Sequence, residues 1–218
     1  IAPQTGWPDV APASLDCPRW VEMDRAHRKP CYQYADALAV TGYFSGLLGA
    51  KNNRPLLREW LAKGRDYAMT KAFQQLEHGD LAEVKNPDDG KPAVGAKSDS
   101  LAATVAAFGV FQRYARERGL ELYVYEGGTS LPSDDPDLKE FFFQMTEQDK
   151  MRVLYSTLFS AYRAAGGPLF NCWGWIAPHD PWANAQTVLD RDRTKYRAIV
   201  DFVSKNPCWW PACERSAR

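Results

Sequence analysis

No stretch of the 218-residue chain approaches the roughly 20 continuous apolar residues that a membrane-spanning helix needs. The opening "IAPQTGWPDV" also lacks the charged and apolar regions of a signal peptide. The chain therefore reads as soluble, in mature or excised form, with no membrane partner. Charge of one sign is missing too: 27 basic residues balance 27 acidic ones, and no basic stripe is long enough to track phosphates, which argues against nucleic acid. Histidine is scarce, with only His27, His78 and His179, scattered, and no Cys-x-x-Cys pair occurs. That combination speaks against zinc, and neither a metal nor another cofactor is expected.

Aromatic residues, by contrast, are plentiful. With 8 Trp, 10 Tyr and 10 Phe, the chain is well supplied with flat rings that fill cores or stack on the apolar faces of sugars and bases. The five cysteines fall as Cys17 and Cys31, a lone Cys172, and Cys208 with Cys213 in "CWWPAC". Two local disulfides and one buried thiol suit an oxidising compartment, either secreted or periplasmic. A chain of this length buries about 70% of its unfolded surface, enough for a single α/β unit spanning 1–218 without an internal linker.

Apolar strand-like runs alternate with long segments of helical period, the pattern of parallel β/α architecture. "YADALAVTGYF" (34–44) is the first convincing strand. In "RPLLREWLAKGRDYAMTKAFQQLEHG", Leu57, Leu61, Ala68, Ala72 and Leu76 recur at helical spacing. A polar loop over 86–97 leads to a helix expected over about 99–118, capped by Ser/Asp and closed by Gly119. The strand "LELYVYE" follows, then the acidic stretch "SDDPDLKE" (133–140), read as a solvated loop and helix start. A helix ending in Gly166-Gly167, a third strand "PLFNCWGWIA" (168–177) and a last helix around 193–204 complete the order. That last helix places Tyr196, Ile199, Val200 and Val203 on one side, and a truncated strand is possible at "APQTGW".

Strand side chains alternate, so Leu122, Val124 and Glu126 are expected on one face, with Tyr123 and Tyr125 on the other. By the same rule Asn171, Trp173 and Trp175 lie opposite Phe170 and Cys172, and Ala39, Thr41 and Tyr43 opposite Leu38, Val40 and Gly42. Three adjacent parallel strands then present Tyr43, Glu126 and a Trp at their C-terminal tips, where β/α barrels and open α/β sheets carry their chemistry. A Glu at a strand tip is also commonly a solvated loop residue, and paired indoles commonly serve a core. Their joint placement favours a site.

The strings "DALAVTGYF", "LELYVYEGG" and "LFNCWGW" resemble the last three strands of (β/α)8-barrel glycoside hydrolases of the large retaining clan that includes cellulases, mannanases and β-galactosidases. A bacterial group of that superfamily with similar "AVT-YF" and "YEGG" strands is nearer still. The resemblance covers most of 1–205 in order. It implies the C-terminal half of a (β/α)8 (TIM) barrel, about strands five to eight, acting on β-linked polysaccharide or oligosaccharide. It implies Glu126 as nucleophile at the tip of strand seven and Tyr43 as its hydrogen-bonding partner on strand six. Trp173 or Trp175 matches the sugar platform of strand eight, and "QTGW" (4–7) would bring Gln4 and Trp7 near the cleft. Loop residues Trp182 and His179 are candidates for outer contacts, with Asp180 more simply part of the turn.

Retaining hydrolysis needs two carboxyls roughly 5 Å apart, one attacking the anomeric carbon and one protonating the leaving oxygen. In the clan the second follows an Asn at the tip of strand four, and no Asn-Glu dipeptide occurs in these 218 residues. The acid/base residue is thus expected from an N-terminal half of the same barrel or a partner subunit. The alternatives are a non-catalytic glycan-binding protein on the same scaffold, or an α/β protein of other small-molecule activity using Glu126 as a general base.

Overall fold

The computed structural model describes residues 7–174 and 176–208. The chain opens with two short helices, α1 (Val10–Asp16) and α2 (Pro18–Glu22), and a 3-10 turn at Cys31–Tyr34. A Cys17–Cys31 disulfide with Cα atoms 5.6 Å apart ties the first helices to the turn that feeds the sheet. Cys172 is free and Cys208 is disulfide-bonded, while Cys213 lies outside the described residues.

Three parallel strands follow, β1 (Ala37–Phe44), β2 (Glu121–Thr129) and β3 (Leu169–Cys172), in the spatial order β1-β2-β3. Between β1 and β2 lie α3 (Arg54–Ala62), α4 (Arg65–His78) and α5 (Leu101–Arg116). Between β2 and β3 lie α6 (Pro136–Thr146) and α7 (Asp149–Ala164), and α8 (Thr194–Lys205) comes last. Among the described residues no helix is long and apolar enough to cross a membrane.

The sheet is open. Closing a barrel requires tilted, staggered strands paired on both sides, whereas here β1 and β3 each have one strand neighbour among the described residues. The expectation of a (β/α)8 barrel is overturned: the described chain is a small α/β unit with a three-stranded parallel sheet. The strand suggested at "APQTGW" falls almost wholly outside the described residues, and Trp7, its last residue, is not in a strand. β3 is also shorter than its ten apolar-looking residues suggest. Gly174 turns the chain with φ +70°, and the backbone leaves the ladder there.

One face of the sheet holds the core. Leu38, Val40 and Phe44 of β1 and Leu122 and Val124 of β2 are buried against Phe108 and Phe111 of α5 and Leu154, Tyr155, Leu158 and Tyr162 of α7. The long helical run of 54–78 divides in two because Gly64 takes φ +118°, so α3 and α4 are separate helices. Ser100 caps α5 by accepting the Ala103 N–H at 3.2 Å. The "SDDPDLKE" stretch carries α6 itself, with Asp135 capping its first turn.

α8 is rotated from its expected face. Val200 and Val203 are exposed, whereas Ala198 and Lys195 are buried and Ile199 and Phe202 pack on the core. The stripe 195, 198, 199 and 202 is a regular helical one. A lysine within it hides it from a reading based on hydrophobicity alone.

Candidate functional site

Strict alternation along β2 fails at one residue. Val40 pairs with Val124 but Thr41 pairs with Glu126, leaving Tyr125 as an extra residue, a β-bulge. Residues in register point to the same side of a sheet, so Glu126 leaves the Leu122/Val124 row and joins Ala39, Thr41 and Tyr43. The expected face for Glu126 is thereby corrected. Without the bulge its carboxylate would enter the core, where an unpaired charge is costly.

The glycines after it serve the core side. A Cβ on Gly127 would lie 2.7 Å from the Phe170 ring and 2.8 Å from the Gly42 carbonyl. A Cβ on Gly128, which has φ +127°, would lie 2.7 Å from the Tyr155 hydroxyl. These contacts bring β1, β2 and β3 close together beneath Glu126.

Glu126, Thr41 and Tyr43 line a cleft of about 740 Å³. Its other walls come from Ala103, Ala106, Ala107 and Val110 of α5, from Asn86–Asp88, Lys97 and Asp99 in the loop before that helix, and from Trp7–Asp9. Small side chains on α5 leave the space open. Burial holds the Tyr43 phenol above its ordinary range, reinforced by the charge of Glu126 and a hydrogen bond to it. Tyr43 therefore stays a protonated donor beside the carboxylate.

Asp99, like Asp9 and Asp88 in the same cleft, is a carboxyl that sequence reasoning passed over. It takes the left-handed conformation, φ +48°, and its carbonyl accepts the N–H groups of Ser45 at 2.7 Å and Gly46 at 3.1 Å. Its side chain keeps contact with solvent but is surrounded by protein, which raises its pKa. "SDS" before a helix reads as capping chemistry, and only the folded loop turns it toward the cleft.

The remaining expected site residues separate. Trp7 lines the cleft and is 65% exposed, open enough to meet a ligand face. Gln4 and Trp175 lie outside the described residues. Trp173 is half exposed past the end of β3, its backbone N–H donating to the Gly127 carbonyl at 2.9 Å, and its side chain lies outside the cleft. His179 pairs with Glu140 at 2.7 Å and stacks on Phe143 at 4.2 Å between centroids, away from Glu126. Asp180 caps its own turn by accepting the Trp182 N–H at 2.8 Å. The Trp182 ring meets Tyr43 edge to face at 5.8 Å, so it backs the tyrosine instead of facing the cleft.

Behind Trp182 stand two basic side chains of α8 and its cap. Arg193 donates to the Asp180 carbonyl at 3.1 Å and to Glu147 at 2.5 Å. Lys195 donates to the carbonyls of Pro181 at 2.7 Å and Trp182 at 3.0 Å, and to the Thr129 hydroxyl at 3.3 Å. Three consecutive carbonyls are thus held, and burial pushes the Lys195 pKa well down. Among the described residues no group of three or more His, Cys, Asp or Glu side chains could hold a metal ion. No family model, curated protein or solved structure matches this chain.

Proposed function

We propose that the cleft binds β-linked carbohydrate and that the chain belongs to a retaining glycoside hydrolase in which Glu126 is the nucleophile. The observation that supports this reading best is the bulge at Tyr125, which turns Glu126 onto the cleft side of a parallel sheet beside the Tyr43 hydroxyl. In the first step a Glu126 oxygen bonds to the anomeric carbon as the glycosidic C–O bond breaks. The leaving oxygen takes a proton from a second carboxyl, and water later releases the glycosyl group. Tyr43 donates to the carboxylate and orients it, and Trp7 offers an indole face at the cleft mouth.

Asp9, Asp88 and Asp99 share the cleft with Glu126. They suit hydroxyl groups of a bound sugar, and the proton donor that follows an Asn in the clan has no counterpart in this sequence.

That gap favours glycan binding without hydrolysis as the second reading. Incubation with 2,4-dinitrophenyl 2-deoxy-2-fluoro-β-cellobioside and the corresponding mannobioside decides between them. The hydrolase reading expects a covalent adduct by intact mass, mapped to Glu126 and lost in Glu126→Gln. Tryptophan quenching by cello- or manno-oligosaccharides, with no adduct and no product, supports the binding module.

A further inference from the structure

Lys195 has no exposed surface, and none of its hydrogen bonds goes to a carboxylate. Isolating an ammonium from water costs several kcal/mol, and apolar side chains of similar size commonly do as well or better for stability alone. Its chemistry suits its three oxygens in either protonation state. An ammonium donates to all three; a neutral amine donates to the two carbonyls and accepts from the Thr129 hydroxyl.

Those oxygens belong to the two segments that frame the candidate nucleophile. Thr129 lies three residues beyond Glu126 at the end of β2, and its N–H and hydroxyl also bond the buried Tyr155 hydroxyl at 3.0 and 3.3 Å. Pro181 and Trp182 lie in the loop after β3, whose indole rests on Tyr43. We infer that Lys195 is a positioning residue for the Glu126–Tyr43 pair, fixing Tyr43 from behind through Trp182 and the strand end of Glu126 through Thr129. Arg193 extends the same grip to the Asp180 carbonyl. The inference rests on the reading of Glu126 as nucleophile, but the positioning itself is measurable without catalysis.

Lys195→Met, Trp182→Phe and the double variant are compared with the native chain, with Lys195→Gln as a less disruptive variant should the methionine fail to fold. The first readout is the 19F spectrum of protein labelled with 5-fluorotryptophan, the Trp182 resonance being identified by its loss in Trp182→Phe. Lys195→Met is expected to shift or broaden that resonance, and an unmoved resonance overturns the inference. The second readout is the rate of labelling by the dinitrophenyl fluorocellobioside. A fall of about tenfold in the saturating rate is expected for each single variant, with little change in half-saturating concentration and no further loss in the double. Losses that multiply in the double, or a Lys195→Met variant labelled at the native rate, overturn it. If the native chain is never labelled, the hydrolase reading fails by itself, and the 19F comparison then decides whether Lys195 positions Trp182.

Discussion

Glu126 reaches the cleft because one backbone residue before it is unpaired, and Tyr43 reaches Glu126 because β1 keeps strict alternation while β2 does not. On the hydrolase reading, Tyr43→Phe removes the donor but keeps the ring against Trp182. Labelling of Glu126 is expected to slow by on the order of 10²-fold, as for loss of one preorganised donor, with an unchanged circular dichroism spectrum. Cys172 illustrates the opposite situation. It faces the core beside Gly127, and burial pushes its thiol up to about 12. The nucleophilic species is the thiolate, so Cys172 is expected to resist iodoacetamide at pH 8 in the folded chain and to react once it is unfolded in urea. Mass spectrometry of the alkylated peptide checks this, and rapid modification of native protein would contradict it.

At the scale of elements, the Gly127-Gly128 pair decides how closely the three strands approach. Gly127→Ala must displace both the Phe170 ring and the Gly42 carbonyl, and overpacking of this kind costs about 1–3 kcal/mol. Chemical denaturation is expected to show that loss with the m value retained. The sequence made β1, β2 and the helix after Ser100 legible, because apolar runs of strand length and a capped helical period stand out from their surroundings. It did not make the face of Glu126 legible, since a bulge depends on cross-strand register and has no pattern along one strand. The buried stripe of α8 was hidden by Lys195, whose partners are backbone carbonyls that carry no sequence signal. The barrel expectation failed for a related reason: strand strings resemble those of a closed sheet, but closure depends on edge pairing. The Cys17–Cys31 bridge matches one of the two local pairs the sequence suggested, although cysteine spacing alone does not fix the pairing. Closing a loop of this size stabilises by about 3 kcal/mol, so Cys17→Ala with Cys31→Ala should lower the denaturation midpoint correspondingly.

For the whole molecule, the alkaline side of the stability curve is set by groups buried on the core side of the sheet and in the cleft. Burial raises the pKa of Tyr155, Tyr162 and Tyr43 above 10, whereas in the unfolded chain each ionises near 10. Their contribution is fully present below pH about 10 and is lost as pH rises further, because the folded state then binds more protons than the unfolded one. Lys195 works in the opposite direction. Its folded pKa lies well below its unfolded value of about 10.4, so over that interval the unfolded chain carries a proton that the folded chain refuses, and stability rises with pH. Cys172, raised by burial from an unfolded value of about 8.5, opposes Lys195 above that pH, so together these groups predict stability that climbs up to about pH 8.5, levels off, and falls beyond pH about 10. Two variants separate the limbs. Lys195→Met should flatten the climb, and Tyr162→Phe should soften the fall by up to about 1.4 kcal/mol per pH unit. Urea denaturation from pH 7 to 11 measures both, and a curve for Lys195→Met parallel to the native one below pH 10 would show that the lysine is charged when folded.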